Sequence, residues 1–322
     1  MKYRFIKLLS LSLTTVLGLV LTDFETYLAS RQEALTKNWE KLDGSGAKFS
    51  YDEWHREGGS WGVTRVLQGG SIIEKGAVST TYSRGILSEE RAQAMSARGR
   101  IAETGAEYQA SALSIVLHAA SPMIPTFRAD IRVFRVKNKV WYGGGADLTP
   151  YYLFDDDVKE WHAFWHSLCG DYSVKLYPRF KRWCDEYFYL HLREERRGVG
   201  GIFFDDLSPD TENDYDPHLF CRAVADAFEQ SWNPIVERRR NILYTEKQKR
   251  WQLLRRGRYL EFNLLHDRGV KFGLTPESIE RVMVSAPPLI AWEYGLSEPE
   301  PGTDESKLLN VLRGEARGWL SS

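Results

Sequence analysis

The chain has 322 residues, of which 43% are hydrophobic and 27% charged, a balance that excludes a disordered or fibrous protein. Its 43 lysines and arginines nearly match its 44 aspartates and glutamates, for a net charge of −1. No overall field therefore favours nucleic acid as a partner, and any anion site must be local. The cysteines have no CxxC spacing and indicate free thiols rather than disulfides or a zinc site: Cys169, Cys184 and Cys221.

The N-terminal residues differ from the rest of the chain. Lys2, Arg4 and Lys7 precede an apolar run that ends at Leu21 and resembles a signal or anchor segment. The run is shorter than the roughly 20 apolar residues of a spanning helix, and no A-x-A pattern follows it. We therefore expect residues 1–21 to target or anchor the protein, or to be a simple extension. The compartment stays open, with the cytoplasm or an organelle favoured.

The rest of the chain, 22–322, is predicted to form one domain, because no linker, low-complexity tract or repeat marks a boundary. Its first elements are strands joined by short turns. Stretches 63–67 and 71–74 flank a Gln-Gly-Gly turn and predict a β-hairpin. Ser88, followed by two glutamates, predicts the N-cap of a helix to Met95.

Further strands are predicted at 112–118, 127–136 and 140–142, with a turn at 137–139. The glycine triplet that follows the last of them indicates a bulge or a place where another group approaches the backbone closely.

Helices and a strand alternate in the second half of the chain. Apolar residues at helical spacing predict one helix ending at Gly170 and another beginning at Pro178. Residues 200–204 predict a short strand. Asp216-Pro217 predicts the start of a long helix that Pro234 kinks.

The last predicted elements are a helix and a second hairpin. Thr245 and Gln248 form a capping-box pattern for a helix that is expected to stop at Gly257. Residues 258–266 and 270–274 then predict two strands joined by a turn. Because strands and helices follow one another without the regular alternation of a doubly wound protein, we predict an α+β fold with one large antiparallel sheet flanked by helices.

One predicted strand carries a charged face. Arg128, Asp130 and Arg132 alternate with apolar residues, so they lie on one side of the strand, ~7 Å apart. A solvated outer face is one interpretation. The next strand, however, runs through glycines to Asp147, which places a carboxylate beside the arginines over open backbone. A similar pattern occurs at Arg197, which is followed by glycines and then by an apolar strand.

These stretches together resemble one known family. They are 143–153 (GGGADLTPYYL), 195–207 (ERRGVGGIFFDDL) and 255–264 (RRGRYLEFNL). The chain resembles the oxygen-dependent coproporphyrinogen III oxidases, over roughly residues 22 to 320.

The resemblance implies a reaction in haem and porphyrin biosynthesis. Two propionates of coproporphyrinogen III become vinyls, with loss of carbon dioxide, to give protoporphyrinogen IX. It implies molecular oxygen as co-substrate, no metal or organic cofactor, a large antiparallel sheet and a homodimer. It also implies that Ser114, Arg132, Asp147 and Arg197 occupy substrate-site positions. Such roles suit these residues, because arginine binds carboxylates as a fork and a buried carboxylate such as Asp147 accepts hydrogen bonds from pyrrole N–H groups.

The chain departs from the family pattern at two positions of the charged strand. Arg128 stands where the family usually has a histidine proposed as proton donor, and Asp130 where it usually has asparagine. Arginine does not donate a proton near neutral pH, so proton transfer is expected to use Asp130, Asp147, water or the substrate. Asp130 and Asp147 are therefore the catalytic candidates. The substrate-binding candidates are Ser114, Arg128, Asp130, Arg132, Asp147 and Arg197.

A metal site is not predicted. Of the histidines once proposed as metal ligands in the family, only His118 and His162 remain at matching positions, without a carboxylate at ligand spacing. For His162 we expect packing at a helix boundary. After Leu274 the family's glycine-rich stretch with a substrate-contacting arginine is shorter here and carries an acid, so we expect one propionate contact to be lost.

Three functions are compatible with these residues. The leading hypothesis is the oxidase. The alternative is a noncatalytic tetrapyrrole-binding paralogue, which the replacement at Arg128 and the altered stretch after Leu274 favour. A structural or protein-interaction domain is the third, but it leaves the glycine and arginine segments without a purpose.

Overall fold

A seven-stranded antiparallel sheet forms the centre of the computed structural model, which describes residues 13–97, 99, 103–267, 269–270, 274–296 and 298–320. Its strands follow the order β1-β2-β3-β4-β5-β6-β9, and β7 and β8 form a separate two-stranded ribbon. The strands are β1 Asp52–His55, β2 Trp61–Gln68, β3 Ile73–Ile86, β4 Glu107–Ala119, β5 Thr126–Val136, β6 Lys139–Thr149, β7 Tyr189–Leu190, β8 Glu195–Arg196 and β9 Gly200–Leu207. The predicted α+β class is confirmed.

Helices flank the sheet. They are α1 Leu13–Asp43, α2 Glu89–Ser96, α3 Asp155–Gly170, α4 Leu176–Tyr187, α5 Pro217–Asp226, α6 Phe228–Arg239, α7 Glu246–Leu265, α8 Ile279–Met283 and α9 Asp304–Arg313. α1 packs on β3 and β4, α5 on β5 and β6, and α4 along β9. On the opposite face, Tyr259 of α7 packs on Ala77 and Val116 of the sheet.

Strand β5 shows why the sheet has one apolar and one charged face. Its residues alternate, so Phe127, Ala129 and Ile131 point into the main core, where the Phe127 ring stacks on Trp232 of α6 at 6.1 Å between ring centroids. Arg128, Asp130 and Arg132 are only partly buried, on the opposite face. The predicted alternation is confirmed.

Most predicted elements are present. Trp61–Gln68 pairs with Ile73–Ile86 as the first hairpin, and the helix after Ser88 runs from Glu89. Thr245 and Gln248 form the predicted capping box. The three cysteines are buried free thiols, as predicted.

The second predicted hairpin is wrong. Helix α7 continues through Gly257 to Leu265, so residues 258–265 are helical rather than extended. A Cβ at Gly257 would lie 2.6 Å from the Ala291 carbonyl oxygen, so this glycine permits a close approach and does not end the helix. Of the predicted partner strand, residue 270 is helical and 271–273 lie outside the described residues.

The long helix predicted from Asp216 is two helices. The chain breaks at Ala227, whose N–H bonds to the Val224 carbonyl three residues back and tightens the last turn of α5. Pro234 lies inside α6 instead of marking the break. His162 also differs from its prediction, because it lies in the interior of α3 rather than at its boundary.

The structure describes only part of the predicted N-terminal segment, residues 1–21. Helix α1, described over Leu13–Asp43, runs without a break past residue 21, where we expected the segment to meet the domain, and residues 1–12 lie outside the described part. No helix in the described ranges is both long and apolar enough to cross a membrane.

Candidate functional site

Strand pairing brings the predicted site residues to one face of the sheet. Ser114 of β4 lies opposite Asp130 of β5, and Asp130 lies opposite Gly145 of β6. Arg128 lies directly opposite Asp147. Because the sheet is antiparallel and regular here, the charged row on β5 and the carboxylate after the glycines become neighbours, as the sequence predicts.

The glycine triplet in β6 permits close packing. A Cβ at Gly143 would lie 2.7 Å from Asp205 Oδ1 and 2.8 Å from Arg132 Nε. A Cβ at Gly145 would lie 2.4 Å from the Ile202 carbonyl oxygen of β9. The pairing of β6 with β9 also shifts register in this segment. Of the two predicted alternatives, the close approach is confirmed, and the register shift is an irregularity of the kind that a bulge would produce.

A cavity of about 460 Å³ lies over this face, within the size range of small-molecule sites. The residues that line it are Ala94, Ala112, Ser114, Arg128, Asp130, Arg132, Tyr187, Phe188, Phe203, Asp205, Asp267 and Gly269. Four of the six predicted site residues are in this lining. The aromatic side chains from α4 and β9 and the carboxylates of Asp205 and Asp267 were not predicted as site residues.

Arg132 is held between two carboxylates at the edge of the cavity. It forms an ion pair with Asp130, and its Nη2 lies 3.4 Å from Asp205 Oδ1. Its guanidinium carbon lies 5.6 Å from the centre of the Phe203 ring. The side chains of Arg132 and Asp130 are 31% and 23% exposed, so this pair is accessible to solvent.

Arg128 has a different set of partners. Its Nη1 donates to Ser114 Oγ at 2.6 Å, to the Ile115 carbonyl at 2.9 Å and to the Ala129 carbonyl at 3.1 Å. Among the described residues no carboxylate lies within ion-pair distance of it. Its positive charge is therefore not neutralised by a direct partner in the described part of the chain, although Arg128 lines the cavity.

Asp147 and Arg197 form a sealed pair on the same face of the sheet, next to α7. Arg197 Nη2 donates to Asp147 Oδ1 at 2.6 Å and Nε to Oδ2 at 3.3 Å, a bidentate contact. The two side chains are 4% and 1% exposed, and neither is part of the cavity lining. Burial raises the pKa of the Asp147 carboxyl, while the charge of Arg197 opposes that shift.

An aromatic cage closes around Arg197. Its guanidinium carbon lies 3.9 Å from the centre of the Phe188 ring, 4.7 Å from that of Phe262 and 4.8 Å from that of Tyr259. Asn263 Oδ1 accepts from Nη1 at 3.4 Å. Sequence reasoning missed this cage because it assigned 258–266 to a strand, although positions 259, 262 and 263 have helical spacing.

The segment that carries Arg197 is fixed by α3. His162 Nε2 lies 3.0 Å from the Val199 carbonyl, and Trp161 Nε1 donates to the Gly200 carbonyl at 3.1 Å. Because a carbonyl only accepts, Nε2 of His162 carries the proton and Nδ1 accepts from the Tyr177 hydroxyl at 3.0 Å. Burial lowers the pKa of His162 to about 3, so this histidine is neutral.

His118 is likewise buried and neutral. Its Nδ1 lies 3.1 Å from Thr126 Oγ1, and its Nε2 lies 3.0 Å from the Ser285 carbonyl oxygen. Burial lowers the pKa of His118 well below the ordinary value. Each histidine has two hydrogen-bond partners within the protein. Within the described ranges, no three histidine, cysteine, aspartate or glutamate side chains are grouped to hold a metal ion.

The sheet has a charged cavity on one face and an apolar core on the other. This arrangement is typical of an α+β enzyme that binds a polar small molecule. The chain belongs to the coproporphyrinogen III oxidase family, whose model matches residues 23–319. It is 41% identical over 302 residues to coproporphyrinogen-III oxidase 1, chloroplastic, of Arabidopsis thaliana, a match that covers 89% of this chain and 76% of that protein. The family resemblance is confirmed, and the chain is an oxidoreductase of this family.

Proposed function

We propose that the chain catalyses the oxygen-dependent oxidative decarboxylation of coproporphyrinogen III to protoporphyrinogen IX. The observation that carries the proposal is the cavity in which Ser114, Arg128, Asp130 and Arg132 meet on one sheet face. Family membership supplies the reaction class, and the lining supplies groups for both parts of the substrate. Guanidiniums suit its carboxylates, and carboxylates suit its pyrrole N–H groups.

The chemistry balances with oxygen alone as acceptor. In each of two propionates, the bond to the carboxylate carbon breaks and one C–H bond breaks on the carbon next to the ring. A C=C bond forms and carbon dioxide leaves. Two electrons and two protons, one proton from that C–H bond and one from the medium, reduce one oxygen molecule to hydrogen peroxide. The protein needs to hold the reacting propionate and to stabilise positive charge on the ring as it loses electrons.

Arg128 is the group best suited to hold a propionate. It lines the cavity and has no carboxylate partner among the described residues, whereas Arg132 is already paired with Asp130 and Asp205. A guanidinium with free N–H groups forms bidentate bonds to an incoming carboxylate. Arg128 therefore supports binding of the substrate, while proton transfer falls to Asp130, water or the substrate, because arginine is not an acid at neutral pH.

The test is a product assay. Purified protein is incubated in air with reduced coproporphyrinogen III, and divinyl product and oxygen uptake are followed together. We expect one oxygen consumed per vinyl group formed. Absence of product above the spontaneous rate would overturn the proposal.

One observation favours a second candidate, a noncatalytic tetrapyrrole-binding protein. No histidine is among the described side chains that line the cavity, and Arg128 stands at the position of the family's proposed proton donor. This candidate predicts micromolar or tighter binding of coproporphyrin without oxygen uptake. Stoichiometric oxygen uptake on addition of coproporphyrinogen III would exclude it.

For assembly, cofactor and compartment, the only support is the family and its Arabidopsis relative. We propose a homodimer, oxygen as co-substrate with no resident metal or organic cofactor, and an organellar location, since the Arabidopsis relative is described as chloroplastic. We also propose that residues 1–21 act as a targeting segment before the domain at 22–322. Sedimentation, metal analysis of the active protein and imaging of the full chain with and without residues 1–21 test these points.

A further inference from the structure

A second cavity lies beside α7, outside the site described above. Its volume is about 550 Å³, within the size range of small-molecule sites, and no described residue lines both cavities. Four residues of α7 at helical spacing form one wall: Trp251, Leu254, Arg255 and Arg258. Residues from 193–195, from 292–299 and from α9 complete it. The proposed function leaves this cavity without a role.

One buried carboxylate in the wall of this second cavity serves two arginines. Glu195 Oε1 accepts from Arg255 Nη2 at 2.8 Å, and Glu195 Oε2 lies 3.6 Å from Arg313 Nε. The side chains of Glu195 and Arg255 are 2% and 7% exposed, so this pair is fixed inside the wall. Arg313 also pairs with Glu298, which is exposed at the rim.

A second carboxylate, that of Glu261, serves two more arginines. It accepts from Arg193 Nε at 2.9 Å and Nη2 at 2.8 Å, and from Arg258 Nη1 at 2.8 Å. The indole Nε1 of Trp292 donates to it at 3.1 Å. A carboxylate offers about four acceptor positions, so Glu261 has none left for its neighbours.

Arg258 is therefore only partly neutralised. Its guanidinium has five N–H groups, and Glu261 is its one acceptor among the described residues. Burial lowers the pKa of Arg258, and the charges of Arg193 and Arg255 add to that shift, whereas Glu261 opposes it. The pKa of Arg193 is instead raised by its bonds to Glu261. An anion in the cavity would supply the partner that Arg258 lacks.

The charges around the cavity indicate how much negative charge it accommodates. Two further ion pairs, Arg250 with Glu293 and Arg313 with Glu298, are each neutral. With these pairs included, the charged residues of the lining and their ion-pair partners in the described part are five arginines and four glutamates. One surplus positive charge suits a carboxylate better than a phosphate monoester, which carries about two negative charges near neutral pH.

Aromatic side chains line the same space. The Arg255 guanidinium carbon lies 5.8 Å from the centre of the Trp251 ring, and the partly exposed rings of Trp292 and Tyr294 also face the cavity lining. Indole and phenol rings provide flat apolar surface against which another ring packs well. A guanidinium fork beside such surface suits a ligand that carries a carboxylate on an aromatic body.

We propose that this cavity is a second binding site, which takes an aromatic monocarboxylate. The ligand carboxylate bonds to Arg258, and its ring packs against Trp251 and Trp292. The proposal concerns a site separate from the porphyrinogen cavity, and binding there does not require turnover.

The test compares three probes with the same bicyclic ring by isothermal titration calorimetry on the full chain: 2-naphthoate, 2-naphthyl phosphate and the neutral 2-naphthalenemethanol. We expect 2-naphthoate to bind with a Kd of about 0.1–1 mM, the range for a ligand of this size. The alcohol should bind at least about tenfold more weakly, because it cannot form charge-assisted bonds with a guanidinium. The phosphate should bind no more tightly than the carboxylate.

Variants locate the binding. Arg258→Met should weaken 2-naphthoate binding by at least about tenfold, and Arg258→Lys should fall between, since lysine keeps the charge but loses the fork. Arg193→Met gives a second test should the first variant not fold. It frees Glu261 to neutralise Arg258, so the affinity for 2-naphthoate should fall by about three- to tenfold. The matched control Arg128→Met, in the cavity over β5, should keep 2-naphthoate affinity within about twofold.

Four outcomes would overturn the proposal. They are equal affinity for 2-naphthoate and the alcohol, tighter binding of the phosphate, undiminished 2-naphthoate binding in both Arg258→Met and Arg193→Met, and loss of binding in Arg128→Met instead. The product assay with coproporphyrinogen III tests the proposed function separately, so a failure of one proposal leaves the other to be decided by its own measurement.

Discussion

The protein contains two arginine–aspartate pairs of the same chemistry in different surroundings. The Arg197–Asp147 pair is sealed, with its side chains 1% and 4% exposed, whereas the Arg132–Asp130 pair is 31% and 23% exposed at the edge of the cavity. A buried pair contributes mainly by avoiding an unpaired buried charge, and an exposed pair contributes little to stability. We therefore propose that the first pair is structural and that the second pair contacts the ligand.

The largest expected effect comes from breaking the sealed pair. Arg197→Met leaves Asp147 buried without a partner and should lower the free energy of unfolding by about 3–5 kcal/mol, whereas Arg132→Met should lower it by less than about 1 kcal/mol. Urea unfolding of both variants measures the difference. The double variant Arg197→Met with Asp147→Leu should recover most of the loss. Equal effects from the two single variants would remove the structural distinction between the pairs.

The next largest effect is expected at Arg128, in the solvent-accessible cavity. Arg128→Met removes a guanidinium that has no carboxylate partner in the described residues, so a substrate carboxylate loses its charged hydrogen bonds. We expect the KM for coproporphyrinogen III to rise by about 10- to 100-fold, equivalent to about 1.5–3 kcal/mol, with little change in stability. Arg128→Lys should fall between, since it keeps charge but loses the fork. A normal KM in Arg128→Met would contradict the assignment.

Acid should destabilise the fold through the buried histidine that contacts the segment after Arg197. His162 anchors the segment after Arg197, and burial lowers its pKa to about 3 against about 6.5 in an unfolded chain. Below pH 6.5 the unfolded state binds a proton that the folded state does not, so stability falls as pH decreases from about 6.5 towards 3. The contribution of His162 to this slope is at most about 1.4 kcal/mol per pH unit, and His118, whose pKa burial also lowers, adds its own contribution. His162→Gln should reduce that slope in urea unfolding between pH 7 and 4.5.

A matched variant is His118→Gln, because burial also lowers the pKa of this histidine well below its ordinary value. This substitution should reduce the slope in the same direction. A slope that is the same in wild type and His162→Gln would show that other groups govern acid unfolding.

The smallest expected effect concerns the cage around the sealed pair. Tyr259 is buried and its hydroxyl has no hydrogen-bond partner in the described residues. Tyr259→Phe should therefore leave stability unchanged or raise it by up to about 1 kcal/mol. The matched variant Tyr151→Phe removes a buried hydroxyl bonded to Thr126 at 2.6 Å and should lower stability by about 1–2 kcal/mol. Thermal unfolding distinguishes the two, and a clear loss in Tyr259→Phe would indicate a partner for its hydroxyl.

Much of the site could be predicted from local sequence patterns. The alternation along β5 placed Arg128, Asp130 and Arg132 on one face, and the glycine triplet indicated close packing before Asp147. Both depend on strand geometry, which neighbouring residues in the chain determine. The convergence of Arg197 on Asp147 was expected only from the family resemblance.

The sealing of that pair could not be predicted, because it depends on distant contacts. Gly257 has the appearance of a helix end in sequence, yet it lies in mid-helix, where the lack of a Cβ lets the Ala291 carbonyl approach. Because a strand was predicted after Gly257, Tyr259 and Phe262 of α7 were not recognised as residues of the cage. Tertiary packing determined the conformation here, against the local preference.

The strand order has a consequence for how the protein folds. Strands β1 to β6 each pair with the next strand in the chain, whereas β9 reaches β6 only after the intervening α3 and α4, from Thr149 to Gly200. Pairing of distant segments is slow, so the six-stranded meander should form before β9 docks. The cavity needs Phe203 and Asp205 of β9, so ligand binding should appear only after most of the sheet signal. In a refolding experiment, the change in fluorescence of added porphyrin would then report when β9 pairs with β6.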